Sequence, residues 1–249
     1  MAVRTDAEGL DARAVNIPVG GMELPGYQAM PARGAGFPVI LVVQEIFGVN
    51  EYIQDVCRRL AKLGYLAIAP ELFWRQGDVS KMQDWQEISQ KVVSRVGDAQ
   101  VLADLDASAE YTGAGRGDLG RLGITGFCWG GRIAWLYAAH TVRVRAAVAW
   151  YGRLTGDPDG LHPRHPVDVA ANLCCPVLGL YGAQDHAIPL ASVEQMRAAV
   201  AAARKNAEIV VYPEAGHAFH ADYRPTFNEN VARDAWQRMR EWFRQYGVA

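Results

Sequence analysis

Three residues in this sequence have the types, and the order along the chain, that acyl transfer demands: a thiol, a carboxylate and an imidazole. The thiol is Cys128, inside Gly126-Phe-Cys-Trp-Gly-Gly131. That hexapeptide follows an apolar run and opens a helical one, the setting in which a nucleophile stands on a sharp strand-to-helix turn. Such a turn crowds backbone against backbone, and Gly126 and Gly130 leave out the side chains that would not fit. The helix starting there directs N–H groups and the positive end of its dipole at Cys128, a field that stabilises negative charge. Serine usually occupies this place; here a thiol does. A buried, inert cysteine at a tight turn is the plain alternative, and the residues downstream weigh against it.

A thiol nucleophile needs a base, and the base needs a carboxylate to orient it. The apolar run 176–181 ends in Gly182-Ala-Gln-Asp185, and the run 207–212 ends in Pro213-Glu-Ala-Gly-His217. Asp185 and His217 therefore both lie just past the ends of expected strands, where sites in open α/β sheets gather. Nucleophile, acid, histidine is also the chain order of α/β-hydrolases. His140, His162, His165 and His186 read as surface or locally hydrogen-bonded imidazoles, and His220 has a weak claim on the pocket. An oxyanion needs two N–H donors. Trp129, the residue after the nucleophile, supplies one, and Ile46, in the loop Gln44-Glu-Ile-Phe-Gly48 after an early strand, is the candidate for the other. Glu45 beside it is placed to reach Cys128; a cap or an ion pair with a nearby arginine is its structural alternative.

The elements that must position these residues alternate between strand and helix, which predicts a mostly parallel sheet with helices on both faces, an α/β-hydrolase fold. Residues 21–30 are expected as an antiparallel hairpin arm. Residues 37–44, with the core Val39-Ile-Leu-Val-Val43, suit a strand buried on both sides. Asn50 caps a helix to residue 63, and Gly64 ends it before a strand at 65–70. Helical periodicity then runs from 84 to 111 and is broken by Gly113, Gly115 and Gly117. Strands are expected at 121–125, 146–151, 176–181 and 207–212, and helices from the hexapeptide to about residue 140, at 190–204 and at 228–246. Residues 152–167, rich in Gly, Pro and His, read as a long loop. No repeat or linker divides the chain, so residues 1–249 are expected to form a single domain.

Composition narrows the partners. The 249 residues are 50% hydrophobic, enough for one large core. Lys and Arg number 25 against 27 Asp and Glu, and no basic stripe invites nucleic acid or an anionic membrane. The first 15 residues lack the apolar segment of a secretory signal, and no apolar stretch approaches the roughly 18 residues a membrane span needs. Cys57, Cys128, Cys174 and Cys175 show neither zinc spacing nor a disulfide framework. These features point to a cytoplasmic protein with reduced thiols, acting on a small molecule. Whether it is a monomer or a homo-oligomer is open.

The sequence resembles the dienelactone hydrolase family. The resemblance rests on Gln44-Glu-Ile-Phe-Gly-Val-Asn50, Arg58-Arg-Leu-Ala61 with Gly64-Tyr65, and Ala69-Pro-Glu-Leu-Phe73. It continues through Gly126-Phe-Cys-Trp-Gly-Gly131, Trp150-Tyr-Gly152, Gly182-Ala-Gln-Asp185 and Gly216-His-Ala-Phe219, covering nearly the whole chain from about residue 15. It implies a triad of Cys128, His217 and Asp185. It also implies a gate: Glu45 holds the resting thiol until substrate displaces it, which spares an exposed thiolate from oxidation. Members of the family grip the substrate carboxylate with two arginines, one of them four residues after the histidine. Here that position is Ala221; Arg224 is near enough in sequence to substitute, while Trp85 to Val93 offers no arginine.

The expected chemistry is attack of Cys128 on a lactone or activated ester, collapse to a thioester, and hydrolysis of that thioester by water that His217 activates. It requires no metal or organic cofactor. Trp74, Trp85, Trp129, Phe47 and Tyr151 are available to line an apolar pocket, although core packing accounts for most such aromatics. Of these, Phe47, Trp85 and Tyr151, with Arg224, are the candidate substrate contacts. A general carboxylesterase or thioesterase on the same scaffold is the nearest rival, and a non-catalytic ligand-binding relative a more distant one.

Overall fold

The computed structural model describes residues 4–249 and contains one eight-stranded sheet. Its strands are β1 (Leu10–Val19), β2 (Met22–Pro31), β3 (Phe37–Val43), β4 (Leu66–Pro70), β5 (Gly117–Phe127), β6 (Val144–Trp150), β7 (Val177–Gly182) and β8 (Ala207–Tyr212). They lie in the order β1-β2-β4-β3-β5-β6-β7-β8. From β4 across to β8 every pairing is parallel, and β1 and β2 add an antiparallel hairpin at one edge. The helices are α1 (Glu51–Lys62), α2 (Trp85–Lys91), α3 (Asp98–Ala114), α4 (Trp129–His140), α5 (Leu190–Ala202) and α6 (Glu229–Gln245).

Side-chain alternation in the strands sorts the core into two layers. Val39, Leu41 and Val43 face Leu105 of α3, Ile133 of α4 and Val193 of α5, while Ile40 and Val42 face Leu60 of α1 and Phe243 of α6. A strand buried on both faces needs a continuous apolar run, and Val39-Ile-Leu-Val-Val43 is that run. Asn50 caps α1 as the sequence predicts, its side chain accepting from the Ile53 N–H at 3.1 Å.

Two elements differ from expectation. Residues 10–19 also form a strand, paired with β2 around a two-residue turn in which Gly20 and Gly21 both have positive φ, 56° and 78°. The second half of β1 does alternate, with Val15 and Ile17 buried and Asn16 and Pro18 exposed, but Pro18 and the half-exposed first half mask that signal in the sequence. The periodic run from 84 to 111 is cut in two. A 3-10 turn at Val93–Arg95 separates α2 from α3, and Asp98 at the head of α3 is drawn into an ion pair with Arg132 at 2.6 Å. At its far end α3 continues through Gly113, where a side chain would collide with Leu119, and stops at Gly115.

Among the described residues, no helix is long and apolar enough to cross a membrane.

Candidate active site

The site lies at the C-terminal ends of the parallel strands. Cys128 follows β5 directly and stands at φ 55°, ψ −113°, a conformation that costs a non-glycine residue of order 1–3 kcal/mol and persists only where its surroundings enforce it. They do so here. The Cys128 N–H donates to the Trp150 carbonyl at 3.0 Å, tying the turn to β6. A Cβ on Gly126 would overlap the Gly130 carbonyl oxygen, and one on Gly130 would stand 2.5 Å from the Val43 carbonyl oxygen and closer still to that of Gln44. The first turn of α4 is therefore pressed against the end of β3 and against Gln44, which leads into the loop that carries Ile46. That loop is a tight turn closed by the Gly48 N–H donating to the Glu45 carbonyl at 3.1 Å.

His217 and Asp185 arrive from the loops after β8 and β7. His217 Nδ1 donates to Asp185 Oδ2 at 2.8 Å, and His217 Nε2 lies 3.1 Å from Cys128 Sγ. Asp185 is buried, and its other oxygen accepts from the N–H groups of Ala187 and Ile188 at 2.8 and 3.1 Å. Burial works against a charged imidazole at His217, but the hydrogen bonds to Asp185 and Cys128 outweigh it and raise its pKa to about 10. The remaining thiols are differently placed. Cys57 and Cys175 are buried in apolar surroundings that push their pKa values up, Cys175 to about 12, and Cys174 is exposed at the opposite end of the sheet before β7.

The dienelactone hydrolase family model matches residues 24–247. The chain belongs to the dienelactone hydrolase family. It is 61% identical over 248 residues to a protein of Methylorubrum extorquens named "Putative carboxymethylenebutenolidase", covering 99% of this chain and 85% of that one. A protein of Escherichia coli K12 with the same name is 55% identical over 246 residues, covering 98% and 91%. A crystal structure from Klebsiella pneumoniae, described as a "Putative Dienelactone Hydrolase", superposes with a TM-score of 0.94 at 56% identity, over 95% of this chain and 99% of that one. The protein is accordingly a hydrolase of the dienelactone hydrolase type, on the α/β-hydrolase fold.

In this family member the glutamate expected to hold the resting thiol is engaged elsewhere. Glu45 is buried and accepts from Asn50 Nδ2 at 3.0 Å and from the Tyr223 hydroxyl, while the Cys128 sulfur faces His217. Burial raises the Glu45 carboxyl above its usual range, and the bonds from Tyr223 and Asn50, with the charges of Arg224 and His217, pull it back. Asn50 thus has two tasks, capping α1 through its oxygen and holding Glu45 through its nitrogen. Tyr223 had no sequence signal: it lies six residues past His217 in an irregular loop and belongs to no motif.

A cavity of about 600 Å³ opens beside these residues, lined among others by Phe47, Asn50, Glu71, Met82, Tyr223 and Arg224. The Arg224 guanidinium lies over the Phe47 ring, 5.2 Å from its centroid, and over Tyr223 at 5.9 Å. Of the four expected substrate contacts, the structure gathers Phe47 and Arg224 at this cavity. The other two lie elsewhere. Trp85 opens α2 with 55% of its surface exposed, and Ile88 is the buried residue of that short helix. Tyr151 is fully buried, its ring edge-on to His217 at 5.3 Å and to Phe219 at 5.1 Å, so it supports the imidazole from behind. His220 is also interior, with Nδ1 2.7 Å from the Tyr52 hydroxyl and its ring stacked on Trp236.

Proposed function

We propose that this protein, acting as one cytoplasmic domain, hydrolyses a lactone or an activated ester through Cys128. The observation that carries the reading is the unbroken line from Cys128 Sγ through His217 to Asp185, at 3.1 and 2.8 Å. The imidazole takes the thiol proton, and its hydrogen bond to the Asp185 carboxylate stabilises the positive charge it then carries. The sulfur attacks the carbonyl carbon, and the negative charge moves to the carbonyl oxygen, received by the N–H groups of Trp129 and Ile46. Collapse re-forms the carbonyl, breaks the carbon–oxygen bond and passes the His217 proton to the departing oxygen, leaving a thioester. His217 then removes a proton from water, which attacks the thioester and returns the thiol.

A thiolate leaves a tetrahedral centre more readily than an alkoxide or an amine does. Enol and aryl oxygens compete with it far better, so lactones of enols and activated esters are the substrates this nucleophile suits. Arg224, at the cavity and stacked on Phe47, would take a carboxylate on the substrate in place of the family's arginine pair.

The test is turnover of a panel: cis- and trans-dienelactone, a neutral lactone, p-nitrophenyl acetate and an acyl thioester. Cys128→Ala is expected to lower kcat by at least about 10³-fold on every substrate the wild type accepts. Arg224→Ala is expected to raise KM for the anionic lactones by about 10- to 100-fold and to leave neutral esters within a factor of two. Turnover that survives Cys128→Ala would sink the mechanism; equal effects of Arg224→Ala on charged and neutral substrates would sink the carboxylate anchor.

A further inference from the structure

The loops that follow β3 and β4 are tied to each other by two side chains. Gln44 Oε1 accepts from the Leu72 N–H at 3.0 Å, and Glu71 Oε2 accepts from the Val49 N–H at 2.9 Å. Gln44 enters the turn that carries Ile46, and Val49 leaves it. Both ends of that turn are therefore anchored to one short segment, residues 71–72, past the end of β4. The segment has its own hold, since the Glu71 N–H donates to the Pro25 carbonyl at 2.8 Å. The turn also makes room for the carboxylate. A Cβ on Gly48, at φ 71°, would stand 2.9 and 3.1 Å from the two Glu71 oxygens, so a side chain there would expel the brace.

The local chemistry is complementary beyond those two bonds. Among the described residues, four buried side-chain polar atoms lack a hydrogen-bond partner, and two of them are Gln44 Nε2 and Glu71 Oε1, a donor and an acceptor. Leaving either group without the other would bury an uncompensated donor or acceptor, so the two sides of the pair depend on each other. Burial raises the Glu71 carboxyl, while the Val49 N–H and the Gln44 side chain act to lower it, so the amide lies within electrostatic reach of the carboxylate.

We propose that Gln44 and Glu71 are a pair of positioning residues that brace the 45–49 turn and so hold the Ile46 N–H on the oxyanion beside Trp129. This rests on Ile46 being the second oxyanion donor, as read above. The pair acts through the turn and touches no reacting atom; because Glu71 also lines the cavity, the readout is a small neutral ester that does not use the Arg224 anchor. An interaction that matters only when the oxyanion forms lowers kcat and leaves KM alone when it is lost.

Glu71→Gln keeps an acceptor for the Val49 N–H but sets one amide nitrogen against another. It is expected to lower kcat on p-nitrophenyl acetate about 10- to 100-fold, with KM within about twofold; losing a whole oxyanion donor costs about 10²- to 10³-fold. Alkylation of Cys128 by iodoacetamide forms no oxyanion, and its rate should stay within about twofold of wild type. The double variant Gln44→Glu/Glu71→Gln restores donor against acceptor with the roles exchanged and is expected to recover kcat to within about fivefold. Gln44→Glu alone, which opposes two carboxylates, should give the same kcat loss and serves if Glu71→Gln does not fold. Unchanged kcat in both single variants, alkylation falling in step with turnover, or no rescue in the double variant would each overturn the brace. Esterase activity that persists in Cys128→Ala would instead remove the underlying mechanism, so the two failures are told apart.

Discussion

His217 concentrates the electrostatics of the site in one ring. It is partly buried between a carboxylate and a sulfur, and their hydrogen bonds raise its pKa to about 10 against the opposing effect of burial. In the unfolded chain the same imidazole titrates near 6.5. The folded state therefore binds the proton more tightly, and its contribution to stability is complete below about pH 6.5 and is lost as the pH rises toward 10. Thermal melting from pH 6 to 10.5 should show wild type losing ground to His217→Gln across that window. Parallel melting curves would mean that the imidazole carries no excess proton affinity. The same residue scale decides Glu45, whose carboxylate is held by Tyr223 and Asn50 and so leaves the sulfur to His217.

At the scale of elements, the site depends on how closely a strand end and a helix start can approach. β5 hands the chain to α4 through one strained residue, and the glycines on either side let backbone lie against backbone. Gly126→Ala would drive a methyl group into the Gly130 carbonyl, and neither backbone segment can give way without moving β5 or α4. We expect a loss of more than about 3 kcal/mol in urea unfolding, beyond the usual cost of overpacking a core. Gly160→Ala is the control: nothing lies within 4 Å of the added Cβ, and its urea midpoint should be unchanged. Equal stability of the two variants would show that the elbow yields more easily than its contacts imply.

At the scale of the whole molecule, one buried imidazole joins parts distant in sequence. His220 bonds Tyr52 of α1, stacks on Phe127 of β5 at 5.5 Å and on Trp236 of α6 at 5.4 Å. Burial, with the nearby Arg59 charge, lowers its pKa to about 3. The unfolded chain takes up a proton near pH 6.5 where the folded one does not, so stability falls as the pH drops from about 6.5 toward 3. His220→Gln should be less stable at pH 7, because the stacking is lost, but its acid slope should be shallower than wild type's. The readout is the urea midpoint at pH 4.5, 5.5 and 7. An unaltered slope would place the acid sensitivity in other groups.

What could be read from the chain alone follows from local physics. The double-sided strand at Val39–Val43 and the Asn50 cap each leave a mark in residue type or spacing, because a buried strand and a helix start each need particular residues, and the placing of Cys128, Asp185 and His217 just past strand ends foretells that their side chains meet. Strand β1 leaves a weaker mark, a short alternation interrupted by Pro18, and the split between α2 and α3 is marked only by Gly97 and helped by the Asp98–Arg132 ion pair, 34 residues apart in sequence. Tertiary structure alone decided that Tyr223 holds Glu45, that Arg224 lies on Phe47 at the cavity, that Trp85 faces solvent and that His220 is interior. These are choices of partner. A side chain's partner is set by which loops the sheet brings together, and residues 45, 71, 217 and 223 meet only because β3, β4 and β8 end on the same edge.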